Sequence, residues 1–173
     1  MSIVGRILAQ RKANATHREL MEGIIAQLSG HFVHAKTGKI FVVMVGLTQA
    51  GKTTLVVKHP QLQYFARVNS TTVHQELNRR LGHWHGLSGY CDRRLDQRQR
   101  LERRIRLELL GMAFQSGRAV VEDSCNLNRD WRRRIIALAN SYGYRTFIIW
   151  MDCSDHILID RLVMAARFQR TRR

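Results

Sequence analysis

One proline and three cysteines are all that this 173-residue chain holds of the residues that most stiffen or cross-link a backbone. Cys91, Cys125 and Cys153 are far apart and form no CxxC pair. An odd, sparse set excludes a disulfide framework and fits a reducing cytoplasm, the expected location. No run of 18 apolar residues occurs, which argues against a membrane-spanning helix. The opening MSIVGRILAQRKANA has a short apolar patch and none of the layout of a secretory leader. Acidic residues are scarce as well: 13 stand against 29 lysines and arginines, a net charge of +16. Arginine outnumbers lysine 24 to 5. A guanidinium fork grips phosphate in bidentate fashion, so the excess suits a polyanionic partner, most often nucleic acid. Solubility alone is the competing reading.

What is present follows a regular order. Thr16-His17-Arg18-Glu19 has capping-box spacing, and Leu20, Met21, Ile24, Ile25 and Leu28 then recur at helical spacing up to Gly30. Residues 39–46 read as a buried strand and 51–58 as a helix stopped before Pro60. Short strands are expected at 64–69, 118–123 and 145–152, and helices at 72–81, 95–115, 129–142 and from 155 to about 170. On the long helix, Leu101, Ile105, Leu109 and Met112 are expected to face inward, leaving several of Arg93, Arg94, Arg98, Arg100, Arg103, Arg104 and Arg106 in water. Strands alternating with helices predict an α/β fold of three layers, α/β/α, around a mostly parallel sheet of four or five strands. The expected organisation is an N-terminal helical extension over 1–36 and one compact domain over 37–173, without internal repeats.

Gly46-Leu47-Thr48-Gln49-Ala50-Gly51-Lys52-Thr53 fits GxxxxGK[ST] in full, between a predicted strand and a predicted helix. The glycines let successive backbone N–H groups line one concavity for phosphate oxygens. Lys52 would reach the outer phosphates and Thr53 would offer its hydroxyl to magnesium. The nucleotide-binding set is therefore Gly46, Thr48, Gln49, Ala50, Gly51, Lys52, Thr53 and Thr54. The guanine-reading Asn/Thr-Lys-x-Asp and the DxxG of regulatory GTPases are both missing. The chain is also short for a motor or transport ATPase, and its length suits a small phosphotransferase.

A second segment narrows the class. Val121-Glu122-Asp123-Ser124-Cys125-Asn126-Leu127, with Arg132 after it, resembles the strand, D-x-T-N-L and arginine of polynucleotide-kinase-like P-loop kinases and their zeta-toxin-like relatives. The Tyr142-Gly143-Tyr144 turn, the strand after it, and a helix carrying Arg161 and Arg167 in an R-x5-R pattern are similar to the same family. The likeness covers residues 39–59 and 118–167 well and 64–82 loosely. It implies a P-loop NTPase fold with an AAA_33-type ATP-binding domain, using ATP and Mg2+. It further implies that Asp123 binds magnesium or orients the acceptor, that Asn126 touches the acceptor or positions the loop, and that Arg132 holds an acceptor phosphate. Arg161 and Arg167 would close over the transferring phosphoryl group.

Two departures stand out. Thr71 occupies the place of the family's base aspartate and His74 that of its following arginine. Threonine cannot be a general base at neutral pH, which leaves His74, Asp92 and Glu122 as candidates, His74 first by its ordinary pKa. His83-Trp84-His85 lacks further ligands at metal-binding spacing, while Trp84 and Tyr90 beside Arg93 and Arg94 could stack on bases. The expected activity is transfer of the ATP γ-phosphoryl to a hydroxyl of a phosphate-rich acceptor, a nucleic-acid 5′ end foremost. The alternatives are a kinase for a small nucleotide or nucleotide sugar and a degenerate, ATP-gated nucleic-acid-binding module. A homo-oligomer that completes the sheet is also compatible.

Overall fold

The alternation within IFVVMV organises the molecule. The computed structural model describes residues 18–30, 32, 35–81 and 93–170, with side chains except at 93–96 and 165–170. Strand β1, Ile40–Val45, points Phe41, Val43 and Val45 into one apolar layer and Val42 and Met44 into the other. A strand covered on both faces needs such an unbroken apolar run, because successive side chains alternate sides. β2 (Ala66–Val68), β3 (Val120–Glu122) and β4 (Arg145–Trp150) join it in a parallel sheet of order β2-β3-β1-β4. Among the described residues the sheet has four strands, the lower of the two expected numbers. β4 is an edge, and Phe147, Ile148 and Trp150 are exposed on it.

The larger layer holds α1 (residues 18–29), α3 (Ser70–Leu81), α4 (Arg93–Gln115) and α5 (Arg129–Ser141). Met21 and Ile24 of α1 sit in the same cluster as Phe41, Leu77, Ile105, Leu110 and Ile135. The described part of the N-terminal extension therefore shares the main core. Each large aliphatic side chain buried there contributes about 1.5–3 kcal/mol. α2 (Lys52–Lys58) and the 3-10 turn Leu62–Tyr64 cover the other face through Val56, Leu62 and Phe65. α6 (Asp155–Arg170) follows β4, and of its residues 155–164 only Leu158 is buried. No helix among the described residues is long and apolar enough to cross a membrane.

α4 departs from the expected face. Leu101, Ile105 and Leu109 are buried, but Met112 is 41% exposed. Leu110, Ala113 and Phe114 are buried in its place, so the stripe continues in steps of four and carries Arg106 inward with it. Arg106 is buried, whereas Arg103 and Arg104 face water. Other arginines also serve the fold. Glu76 is buried on α3 between Arg79 at 2.7 Å and Arg80 at 2.6 Å. The Arg79 hydrogen bond, with help from Arg80, holds its carboxyl down to a pKa of about 2. Arg80 Nη2 also donates to Gly23 O at 3.0 Å, tying α3 to α1.

Candidate active site

The carboxyl ends of β1, β2 and β3 meet where the strand order reverses, the usual place for a ligand in an open parallel sheet. A cleft of about 870 Å³ opens there. Its wall runs over 48–55 of the phosphate loop and α2, Lys58, 69–71, 123–125, Met151 and Arg161.

The loop after β1 is held from both sides. Gly46 N–H donates to Cys125 O at 3.1 Å. Gly46 has φ 147°, and a Cβ there would lie 2.6 Å from the Met151 carbonyl oxygen, so only glycine fits. Gln49 takes the left-handed conformation at φ 67°. The Lys52 ammonium is buried under the loop and donates to Gly46 O at 2.9 Å and Leu47 O at 2.5 Å. Arg161 reaches over from α6 and donates to Gln49 O at 2.9 Å. A cationic side chain thus lies on each side of a turn rich in backbone N–H groups, the electrostatic setting for a polyphosphate.

Asp123 lies at the end of β3, and its side chain is 1% exposed. Its Oδ2 accepts from the Thr53 hydroxyl at 2.9 Å, from Asn69 Nδ2 at 2.9 Å and from the Arg67 guanidinium at 2.5 Å. Its Oδ1 is buried and has no hydrogen-bond partner among the described residues. A carboxylate with one oxygen on a threonine hydroxyl and the other unpartnered among the described residues is a hard oxygen donor set, and it fits a magnesium ion with its retained waters. Asn69 also caps α3, since its Oδ1 accepts from the N–H groups of Thr71 at 2.7 Å and Thr72 at 3.2 Å.

Behind the cleft lies a buried polar network. Glu122 is fully buried and takes hydrogen bonds from Arg106, from Asn126 Nδ2 and from the Ser124 hydroxyl. Asn126, at φ 48°, also donates to Met44 O at 2.9 Å and accepts from Trp131 Nε1 at 3.1 Å. Arg106 stacks on Trp131, 4.6 Å from the ring centre. Arg132 donates to the carbonyls of Asn126 at 2.7 Å and Leu127 at 2.8 Å. The network fixes the 123–127 turn against β1 and α5.

The family comparison matches the stretch that carries this strand, phosphate loop, helix and acidic strand end. The profile of the AAA_33 family, described as an AAA domain, matches residues 41–171. The chain belongs to the AAA_33 family. No curated protein matches it. Among solved structures it is similar to a kinase candidate from Chloroflexus aurantiacus J-10-fl, at a TM-score of 0.58 and 17% identity. That match covers 80% of this chain and 71% of the other, and at such identity the likeness shows the fold, a P-loop kinase-like one.

Within the AAA_33 domain the residues singled out from sequence divide into four groups. Thr48, Gln49, Ala50, Gly51, Lys52, Thr53, Thr54, Asp123 and Arg161 all line the cleft, and Gly46 opens the loop. Asn126 and Arg132 stand behind it, bonded within the 123–127 turn rather than facing an acceptor. His74 does not line the cleft. It is exposed one turn along α3, near Glu102, whose carboxyl is pushed up by burial in spite of the nearby Arg106 and His74. Glu122 does not line the cleft either; it is bonded on the core side of β3. The Arg167 side chain, Asp92 and the 82–92 stretch with His83-Trp84-His85 and Tyr90 lie outside the described residues. Sequence reasoning missed Arg67 and Asn69 as partners of Asp123. Their parity on β2 and the Asn-Ser-Thr start of α3 were the available signals.

Proposed function

We propose that this AAA_33 domain is an ATP-dependent phosphotransferase, and that its acceptor is a hydroxyl on a phosphate-rich molecule, a nucleic-acid 5′ end foremost. The observation that carries the reading is the meeting of Thr53 with Asp123 beneath a phosphate loop that Arg161 crosses. Phosphoryl transfer asks the protein chiefly for positioning and charge neutralisation. The loop N–H groups would hold the nucleotide's phosphates, Lys52 would turn from its carbonyls to the outer phosphate oxygens, and Arg161 would meet the charge that develops on the transferring group. Thr53 and Asp123 Oδ1 would hold Mg2+, which when bound neutralises phosphate charge. Asp123 is the one carboxylate among the cleft-lining residues, so it is also the candidate to orient the acceptor hydroxyl.

Lys52→Ala is expected to weaken ATP binding while the fold stays intact. Hydrogen bonds from a charged donor are worth about 1.5–3 kcal/mol, or roughly 10–150-fold in affinity. Calorimetric titration with Mg-ATP measures it, and unchanged affinity would remove the phosphate-loop assignment.

For the acceptor, exposed arginines support a polyanion: Arg103 and Arg104 on α4, and Arg129, Arg133 and Arg134 on α5. Arg133 pairs with Asp130 at 3.4 Å, but both are well exposed, and such pairs hold an arginine only weakly. A fluorescent single-stranded oligonucleotide should therefore bind with an affinity that falls steeply with salt, by about 0.7 in log–log slope per neutralised phosphate. A flat dependence would move the reading to a small phosphorylated acceptor. Thr71 in the cleft, where relatives of the resembled type place an aspartate, favours one other reading: an ATP-gated binding module without turnover. Radiolabel transfer from ATP to a panel of nucleic acids, nucleosides and nucleotide sugars separates the two.

A further inference from the structure

We propose that Arg67 and the divalent cation compete for Asp123, so that Arg67 sets the metal affinity of the cleft. The proposal rests on the reading of the cleft as a metal–nucleotide site. Of the three donors on Asp123 Oδ2, Thr53 and Asn69 are neutral and Arg67 alone is charged. A carboxylate buried to 1% needs a counter-charge, and the guanidinium at 2.5 Å supplies it. A dication on the bare Oδ1 would supply the same compensation from the other side of the same group. The two cations then repel across one carboxylate in a poorly solvated setting, where screening by water is weak. Arg67 lies on β2 with its side chain 31% exposed, at the boundary between the cleft and solvent. Binding linkage makes the effect mutual: whatever Arg67 takes from metal affinity, the metal takes from the grip of Arg67 on Asp123. Arg67 is thus a positioning residue, holding Asp123 in place while moderating the cation it receives.

The test compares wild type with Arg67→Gln, which keeps a donor and loses the charge, and with Arg67→Lys, which keeps the charge. Mg2+ is titrated into each protein with a fluorescent ATP analogue, starting from excess EDTA. Arg67→Gln should bind the analogue in EDTA within about threefold of wild type and reach its magnesium midpoint at a concentration at least tenfold lower. Arg67→Lys should stay near wild type. Equal midpoints in wild type and Arg67→Gln would overturn the proposal. The second readout is the melting temperature with Mg2+ alone and no nucleotide. Magnesium should raise that of Arg67→Gln more than that of wild type, and equal responses would also overturn it. If wild type failed to bind the analogue under any condition, the nucleotide reading would fall. The metal-only melting comparison would still decide whether Arg67 opposes the cation.

Discussion

Asp123→Asn is expected to slow phosphoryl transfer by about 10²–10⁴-fold, the range for losing a positioned acid–base group. ATP affinity should stay within about tenfold of wild type. The asparagine carbonyl can still accept from the Thr53 hydroxyl, and Lys52 and the loop N–H groups are untouched, so the nucleotide cradle survives. What disappears is the negative charge at the buried Oδ1 and the counter-charge for Arg67. Radiolabel transfer and a parallel ATP titration read the two effects separately. Transfer at the wild-type rate would leave Asp123 as a structural partner of Thr53 and Asn69.

Arg106→Met should cost about 3–5 kcal/mol of stability, the usual penalty for breaking a buried ion pair from one side. Arg106 is the charged partner of a fully buried Glu122, lies 3.6 Å from Glu102, and donates to Asn126 Oδ1 at 3.1 Å. Methionine fills much of the volume but leaves Glu122 as an uncompensated buried carboxylate. For a chain of this length each kcal/mol shifts the melting temperature by about 2–4 °C, so a drop of roughly 6–20 °C is expected. The double variant Arg106→Met with Glu122→Leu should recover much of the loss, because the pair repays its own desolvation only poorly. Calorimetric melting of the three proteins tests this. A single variant within 1 kcal/mol of wild type would show that the network does not hold the 123–127 turn.

Local pattern made much of the site legible. The run before Gly46, the phosphate-loop spacing and the order of strands and helices are properties of short windows, and they led directly to the sheet and the cleft. What escaped was set by contacts between distant segments. Arg106 looks like its neighbours in a helix with many arginines; partners in other elements, Glu122, Asn126 and Trp131, hold it inward. Glu122, a candidate base beside Asp123 in sequence, faces the opposite side of the strand and meets Arg106 of α4. Asn126 was open to either role, acceptor contact or loop support, because an asparagine at positive φ that ties β1 to α5 has no signature in one sequence; Arg132, expected on an acceptor phosphate, bonds the turn's own carbonyls. His74 was chosen for its chemistry, but α3 turns it toward α4.

The light seating of α6 has a kinetic consequence. With Leu158 as its buried anchor and the Arg161–Gln49 bond as its tether, the 155–164 part of this helix is expected to open at low free energy. Its amide hydrogens should exchange with solvent long before those of β1, which is paired on both edges. The tether ends on a phosphate-loop carbonyl, so the opening equilibrium of α6 is coupled to whatever stiffens that loop. Deuterium uptake along α6 then becomes a clock for the phosphate loop.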